Sequence, residues 1–133
     1  MDDRTLIAAA RDAQSTAHAP YSGYVVGAAL ATAGGEVFTG CNVETANYSN
    51  SLHAEEVALG SAIRAGHREF DRVAVSTGER DGQTPCGMCR QSFAEFCDEE
   101  FVVLTDRGGD DVAEYRLGNL LPDAISGSDL GAE

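Results

Sequence analysis

Two well-separated strings, His53-Ala54-Glu55 and Pro85-Cys86-Gly87-Met88-Cys89, supply the residue types that a catalytic zinc ion requires. One imidazole and two thiols make three soft or borderline ligands, leaving a fourth position open for water. Zinc so held brings a water's pKa toward ~7, and the remaining carboxyl, Glu55, can carry that water's proton to a substrate nitrogen. Addition of water to a polarised carbon, followed by loss of an amine, is the chemistry this set implies. Each part alone is ambiguous. A Cys-x-x-Cys pair also serves redox dithiols and structural zinc, His53 could cap a helix, and Glu55 could be a solvated carboxylate. A closed structural site wants four ligands, and Cys41 or Cys97 would then have to provide the fourth.

The elements that must position these residues are readable from periodicity. Leu6, Ile7, Ala10, Ala13 and Ala17 predict a helix over residues 3–17, stopped by Pro20. Strands are expected at 24–33 and 36–42, joined by a Gly34-Gly35 hairpin turn. A polar, irregular stretch follows over 43–52. A helix is predicted over 53–65, with Val57, Leu59, Ala62 and Ile63 inward and Gly66 as its stop. A strand over 72–77 precedes a helix running from Pro85, in its first turn, to about Cys97. Further strands are expected at 101–105 and around 115–117. Helix, hairpin, then alternating strands and helices imply an α/β fold: a three-layer α/β/α sandwich with a mixed five-stranded sheet, one domain over residues 1–133. Both half-motifs then fall at helix N-termini, whose free amides and dipole favour anionic ligands. Cys86 and Cys89, three apart, share a face. Cys41 and Cys97 read as small buried hydrophobes.

Composition narrows the partners. Of 133 residues, 22 are Asp or Glu against 9 basic residues, all arginine, giving a formal charge of −13. Such a chain repels nucleic acid and anionic membrane surfaces, because binding them relies on Lys and Arg displacing counterions. The same charge suits either a well-solvated surface or a high-salt cytoplasm, where screening makes self-repulsion tolerable. With an acidic start and no long apolar run, a cytoplasmic protein is expected.

Several segments together resemble the cytidine deaminase family: Ala19-Pro20-Tyr21-Ser22, Val26 to Leu30, Phe38 to Glu44, His53-Ala54-Glu55, Pro85 to Gln91 and Leu120-Leu121-Pro122. The resemblance implies one Zn2+ per subunit on His53, Cys86 and Cys89, with Glu55 as proton shuttle. Its substrates would be cytidine and 2′-deoxycytidine, deaminated to the uridines with release of ammonia in pyrimidine salvage. It places Asn42 and Glu44 on the ribose and adds Ala54, Tyr24 and Tyr48 to the substrate-binding set. Tyr24 stands where members usually pack Phe against the base, and Tyr48 where tetrameric members reach a neighbour's site. A homotetramer is the family expectation at this length, with a dimer as the alternative.

Four positions depart from the small single-domain members. They usually carry Cys at His53, Arg at Glu56, Asn at Thr45 and, in many tetramers, an interface Phe at Ile125. The first two changes belong together: three thiolates leave zinc at −1 and call for a cation, whereas two thiolates and an imidazole leave it neutral. Competing readings are a deaminase of a cytosine-containing nucleoside antibiotic and a non-catalytic zinc or dithiol module.

Overall fold

The computed structural model describes residues 2–78 and 82–132. Asp2 opens the first helix, α1 (Asp3–Ala13), its carboxylate accepting the Thr5 amide at 2.7 Å. Leu6, Ile7 and Ala10 are buried as expected. The helix stops short of Ala17, giving way to a 3₁₀ turn over Gln14–Thr16. The cause is local. Ser15 and Thr16 hydroxyls bond back to the carbonyls of Asp12 and Ala13, and such side chains compete with helix propagation.

Strands β1 (Val26–Thr32) and β2 (Val37–Cys41) form the predicted hairpin, each shorter than its sequence span. Tyr24 and Val25 leave the ladder because the Asn42 side chain takes the strand partner's place. Its oxygen accepts the Val26 amide at 2.9 Å and its nitrogen donates to the Tyr24 carbonyl at 2.7 Å. Then come α2 (Ala54–Arg64), β3 (Phe70–Thr77), α3 (Gly87–Phe96), β4 (Val102–Asp106), β5 (Val112–Arg116) and a single helical turn, α4 (Leu117–Leu120). The last strand thus lies earlier than the expected 115–117, and Leu117 already belongs to α4. Pro85 stands before the α3 cap rather than in the first turn, since Cys86 is the extended cap residue.

The five strands form one sheet in the order β2-β1-β3-β4-β5, with only β3 and β4 parallel as neighbours. Alternation divides its faces. Ala29, Ala31, Ala74, Val102 and Leu104 meet α1, while Ala28, Leu30, Val73 and Val103 meet α2 and α3. This is the anticipated three-layer arrangement. The inward stripe of α2 is Ala54, Ala58, Leu59 and Ala62, with Val57 and Ile63 half-buried at its flanks. The small stripe follows from how close the helix sits. A side chain at Gly40 of β2 would lie 2.3 Å from the Ala54 carbonyl oxygen, so only glycine lets the start of α2 rest on the sheet. Cys41 and Cys97 are half-buried rather than fully enclosed; burial pushes the Cys97 thiol up to about 12. No helix among the described residues is long and apolar enough to cross a membrane.

Candidate active site

β2 and β3 both run antiparallel to β1, so they share a direction, and β4 follows β3. The helices that cross over from β2 and β3, α2 and α3, must therefore start at the carboxyl ends of these strands. In open α/β sheets that edge is where crossovers leave a crevice. His53 is the cap residue of α2 and Cys86 that of α3, both in extended backbone conformation. Two helix N-termini thus converge, each delivering a ligand from its cap.

His53 Nδ1 lies 3.2 Å from Cys86 Sγ and 3.3 Å from Cys89 Sγ. The three ligand atoms lie within 4.8 Å of one another, the spacing that short metal–sulfur and metal–nitrogen bonds require. Among the described residues, neither Cys41 nor Cys97 joins this group, so the chain offers three donors to one ion. The donor set, one imidazole and two sulfurs, fits zinc with a position to spare. Cys89 is buried and Cys86 exposed. Burial raises the Cys89 thiol far above the ordinary range, with Glu55 and Cys86 adding to the rise. Metal binding must expel that proton, which makes metal loading pH-dependent.

Glu55 follows one residue into α2 and is only 6% exposed, outside the ligand triangle but lining the same cleft. Desolvation raises its pKa, outweighing its own backbone amide and the nearby His53, which both lower it. Glu56, one residue on, turns the other way and accepts the His53 amide at 2.8 Å. It therefore closes the start of α2, a use of this position that the comparison with Arg-bearing members left open.

The cleft holds about 550 Å³. Tyr24, Asn42, Glu44 and Tyr48 line it together with His53, Ala54, Glu55 and Cys86, so the sequence-predicted residues converge at one end of the sheet. Their states differ. Glu44 is held by the Tyr21 and Ser22 amides, both at 3.1 Å, and by the Ser22 hydroxyl, which lowers its pKa. Asn42 already serves the backbone of Tyr24 and Val26 with both polar atoms, leaving one N–H and one lone pair. The Tyr24 hydroxyl lies 3.5 Å from Gln83 Oε1. Tyr48, at φ +26°, is exposed and meets Tyr21 edge-on at 5.9 Å. Gln83, Thr84 and Arg90 also line the cleft. Sequence reasoning assigned them no role. Gln83 and Thr84 carry no pattern of their own, but Arg90 lies directly after Cys89 and invited attention.

Two helix caps aiming an open N,S,S triangle into a cleft, with a desolvated carboxyl beside it, define a zinc-dependent enzyme of the hydrolytic type rather than a closed structural centre. Comparison with known proteins agrees. The family model described as the cytidine and deoxycytidylate deaminase zinc-binding region matches residues 1–105, and the chain belongs to this family. A cytidine deaminase from Sporosarcina psychrophila is 41% identical over 131 residues, covering 98% of this chain and 96% of that protein. Another, from Halalkalibacterium halodurans, is 37% identical over 130 residues and 98% of each. The crystal structure of cytidine deaminase from Burkholderia pseudomallei superposes with a TM-score of 0.88 at 44% identity, covering 94% of this chain and 100% of that one.

Proposed function

We propose that this chain hydrolyses cytidine and 2′-deoxycytidine to the uridines and ammonia, with His53, Cys86 and Cys89 holding one Zn2+. The observation that carries the reading is the three-donor triangle with desolvated Glu55 beside it at the floor of the cleft. When bound, the ion supplies Lewis acidity that brings water's pKa toward neutrality, and its charge opposes the rise at Glu55. Glu55 takes the proton of the attacking water and delivers it to ring nitrogen 3 as oxygen bonds to carbon 4. It then takes the new hydroxyl's proton and passes it to the departing amino group, so cytidine and water become uridine and ammonia. A carboxyl with a raised pKa is suited to carrying protons in both directions near neutral pH.

Glu44, kept anionic by Ser22 and the backbone amides, accepts from a ribose hydroxyl, and the free N–H of Asn42 donates beside it. Tyr24 packs against the base, while the Ala54 segment flanks the metal side of the cleft. Exposed Tyr21, Tyr48, Leu52, Met88 and Ile125 support assembly with further copies, as a tetramer or dimer. The −13 charge fits a neutral nucleoside substrate rather than nucleic acid, and fits a cytoplasmic, salt-tolerant protein in pyrimidine salvage.

The test is loss of ultraviolet absorbance from cytidine, using protein stripped with a chelator and protein restored with zinc. Turnover should appear only in the restored sample. Zinc-loaded, folded protein that leaves cytidine unchanged would overturn the proposal.

A further inference from the structure

The two halves of the metal centre are secured differently. His53 is fixed by the Glu56 carboxylate on its amide. Cys86 is exposed, makes no side-chain capping bond and follows Pro85, which has no N–H to offer. The tether comes from Arg90. Its Nε donates to the Pro85 carbonyl at 2.7 Å, one terminal nitrogen to Thr84 Oγ1 at 2.9 Å and the other to the Leu120 carbonyl at 2.8 Å. The next residue, Gln91, reaches the Ile125 carbonyl at 3.0 Å. Consecutive side chains of α3, starting one residue after Cys89, thus hold both the loop that delivers Cys86 and the C-terminal segment.

We infer that Arg90 is a positioning residue of the metal centre: its fork fixes the Cys86 loop against α3 and braces it on the Leu120 carbonyl. The chemistry favours arginine for this. The guanidinium is planar, always charged and directs donors along several fixed lines, whereas an ammonium is a point charge that cannot span three acceptors in this geometry. Its acceptors are neutral oxygens, and among the described residues it makes no ion pair with a carboxylate. Its bonds are therefore spent on placing backbone and loop. Outer partners that orient metal ligands are worth 10- to 100-fold in metal affinity. The inference rests on the zinc reading above.

The experiment compares wild type, Arg90→Gln, Arg90→Lys and Ser76→Ala, the last a destabilising change away from the cleft. Zinc stoichiometry of the wild type is measured first, then zinc release to a chelator, thermal midpoint and the visible bands of the cobalt(II)-substituted protein. Arg90→Gln should release zinc at least about 10-fold faster than wild type and shift the cobalt bands. Arg90→Lys should fall between the two, and Ser76→Ala should keep wild-type release and bands despite a lower midpoint. Should Arg90→Gln fail to fold, Arg90→Lys decides by the same measurements. Release that merely tracks the thermal midpoint across all variants, or wild-type release in Arg90→Lys, would overturn the role of Arg90 while leaving the zinc site standing. Wild type without stoichiometric zinc would remove both.

Discussion

Glu55 and Asp106 are both buried carboxylates, 6% and 8% exposed, yet their pKa values move in opposite directions. Glu55 sits at the start of α2 facing the cleft, where desolvation outweighs its own backbone amide and His53 and raises its pKa. Asp106 ends β4. Arg11 grips it with two nitrogens at 2.6 and 2.7 Å, while the Ser76 hydroxyl and Gly108 amide donate at 2.7 and 2.9 Å. These donors, Arg11 first, lower its pKa to about 2. Burial is common to both, so burial alone does not decide the protonation state; the supply of donors does. One carboxyl has few donors at the proposed site of proton transfer, and the other is saturated where α1 must be fastened to the sheet.

The comparison breaks most visibly at Glu55. Glu55→Gln removes the proposed proton carrier while keeping shape and should cost about 10²- to 10⁴-fold in kcat. Zinc stoichiometry should persist, and stability should hold or rise, because a desolvated carboxyl is replaced by a neutral amide. Steady-state kinetics beside metal analysis and thermal melting check this. Retained turnover would sink the proposed role of Glu55.

Asp106→Asn should do the reverse. It removes the negative charge that Arg11 grips and weakens the anchor between α1 and β4. Breaking a buried pair costs several kcal/mol, but Arg11 is 41% exposed and can rehydrate, so about 2 kcal/mol is expected. Urea unfolding measures the loss, and kcat per folded, zinc-loaded molecule should stay close to wild type. A large fall in kcat with little change in stability would mean the two carboxylates are not separable as argued.

Acid supplies a finer test. The folded pKa of Asp106, about 2, lies below the ordinary 3.8, so between these values the unfolded chain binds more protons than the folded one. Stability from this group is therefore complete above the unfolded pKa and is lost as pH falls from about 5 toward 2. With Arg11 partly in solvent, the loss should be about 1–2 kcal/mol. The Asp106→Asn variant should lack this part of the acid slope. Parallel stability–pH curves for the two proteins would show that the Arg11–Asp106 pair does not carry it.

What the sequence disclosed follows the range over which each feature is determined. The ligand triangle was legible because His-x-Glu and Cys-x-x-Cys join rare residue types at short spacing, and both caps lie where periodic segments begin. The sheet order was legible as a class because βαβ crossovers leave few topologies. The alanine stripe of α2 was not, since it depends on Gly40 admitting the helix to close range from another element. Asn42 was readable as polar, but not as a substitute for strand pairing. The Arg11–Asp106 bond spans 95 residues and Arg90–Leu120 spans 30, and no local pattern announces such pairs. The contrast between the two carboxyls therefore had to come from the folded chain.

The principle that donors, not burial, decide the worth of a buried polar group extends to Thr105. It lies in β4 opposite Val75 and Ala113, fully buried, and its hydroxyl has no hydrogen-bond partner among the described residues. Asp106, the next residue, has every need met; Thr105 has lost water and gained nothing. Leaving a buried hydroxyl unpaired costs about 1–3 kcal/mol, and valine matches threonine in shape and strand preference. Thr105→Val should thus leave stability unchanged or raise it by up to about 1 kcal/mol, seen as an equal or higher urea midpoint with an unchanged slope. A loss beyond about 1 kcal/mol would mean that the hydroxyl is paired in solution, and Thr105 would then join Asp106 on the satisfied side of the contrast, leaving Glu55 alone on the other.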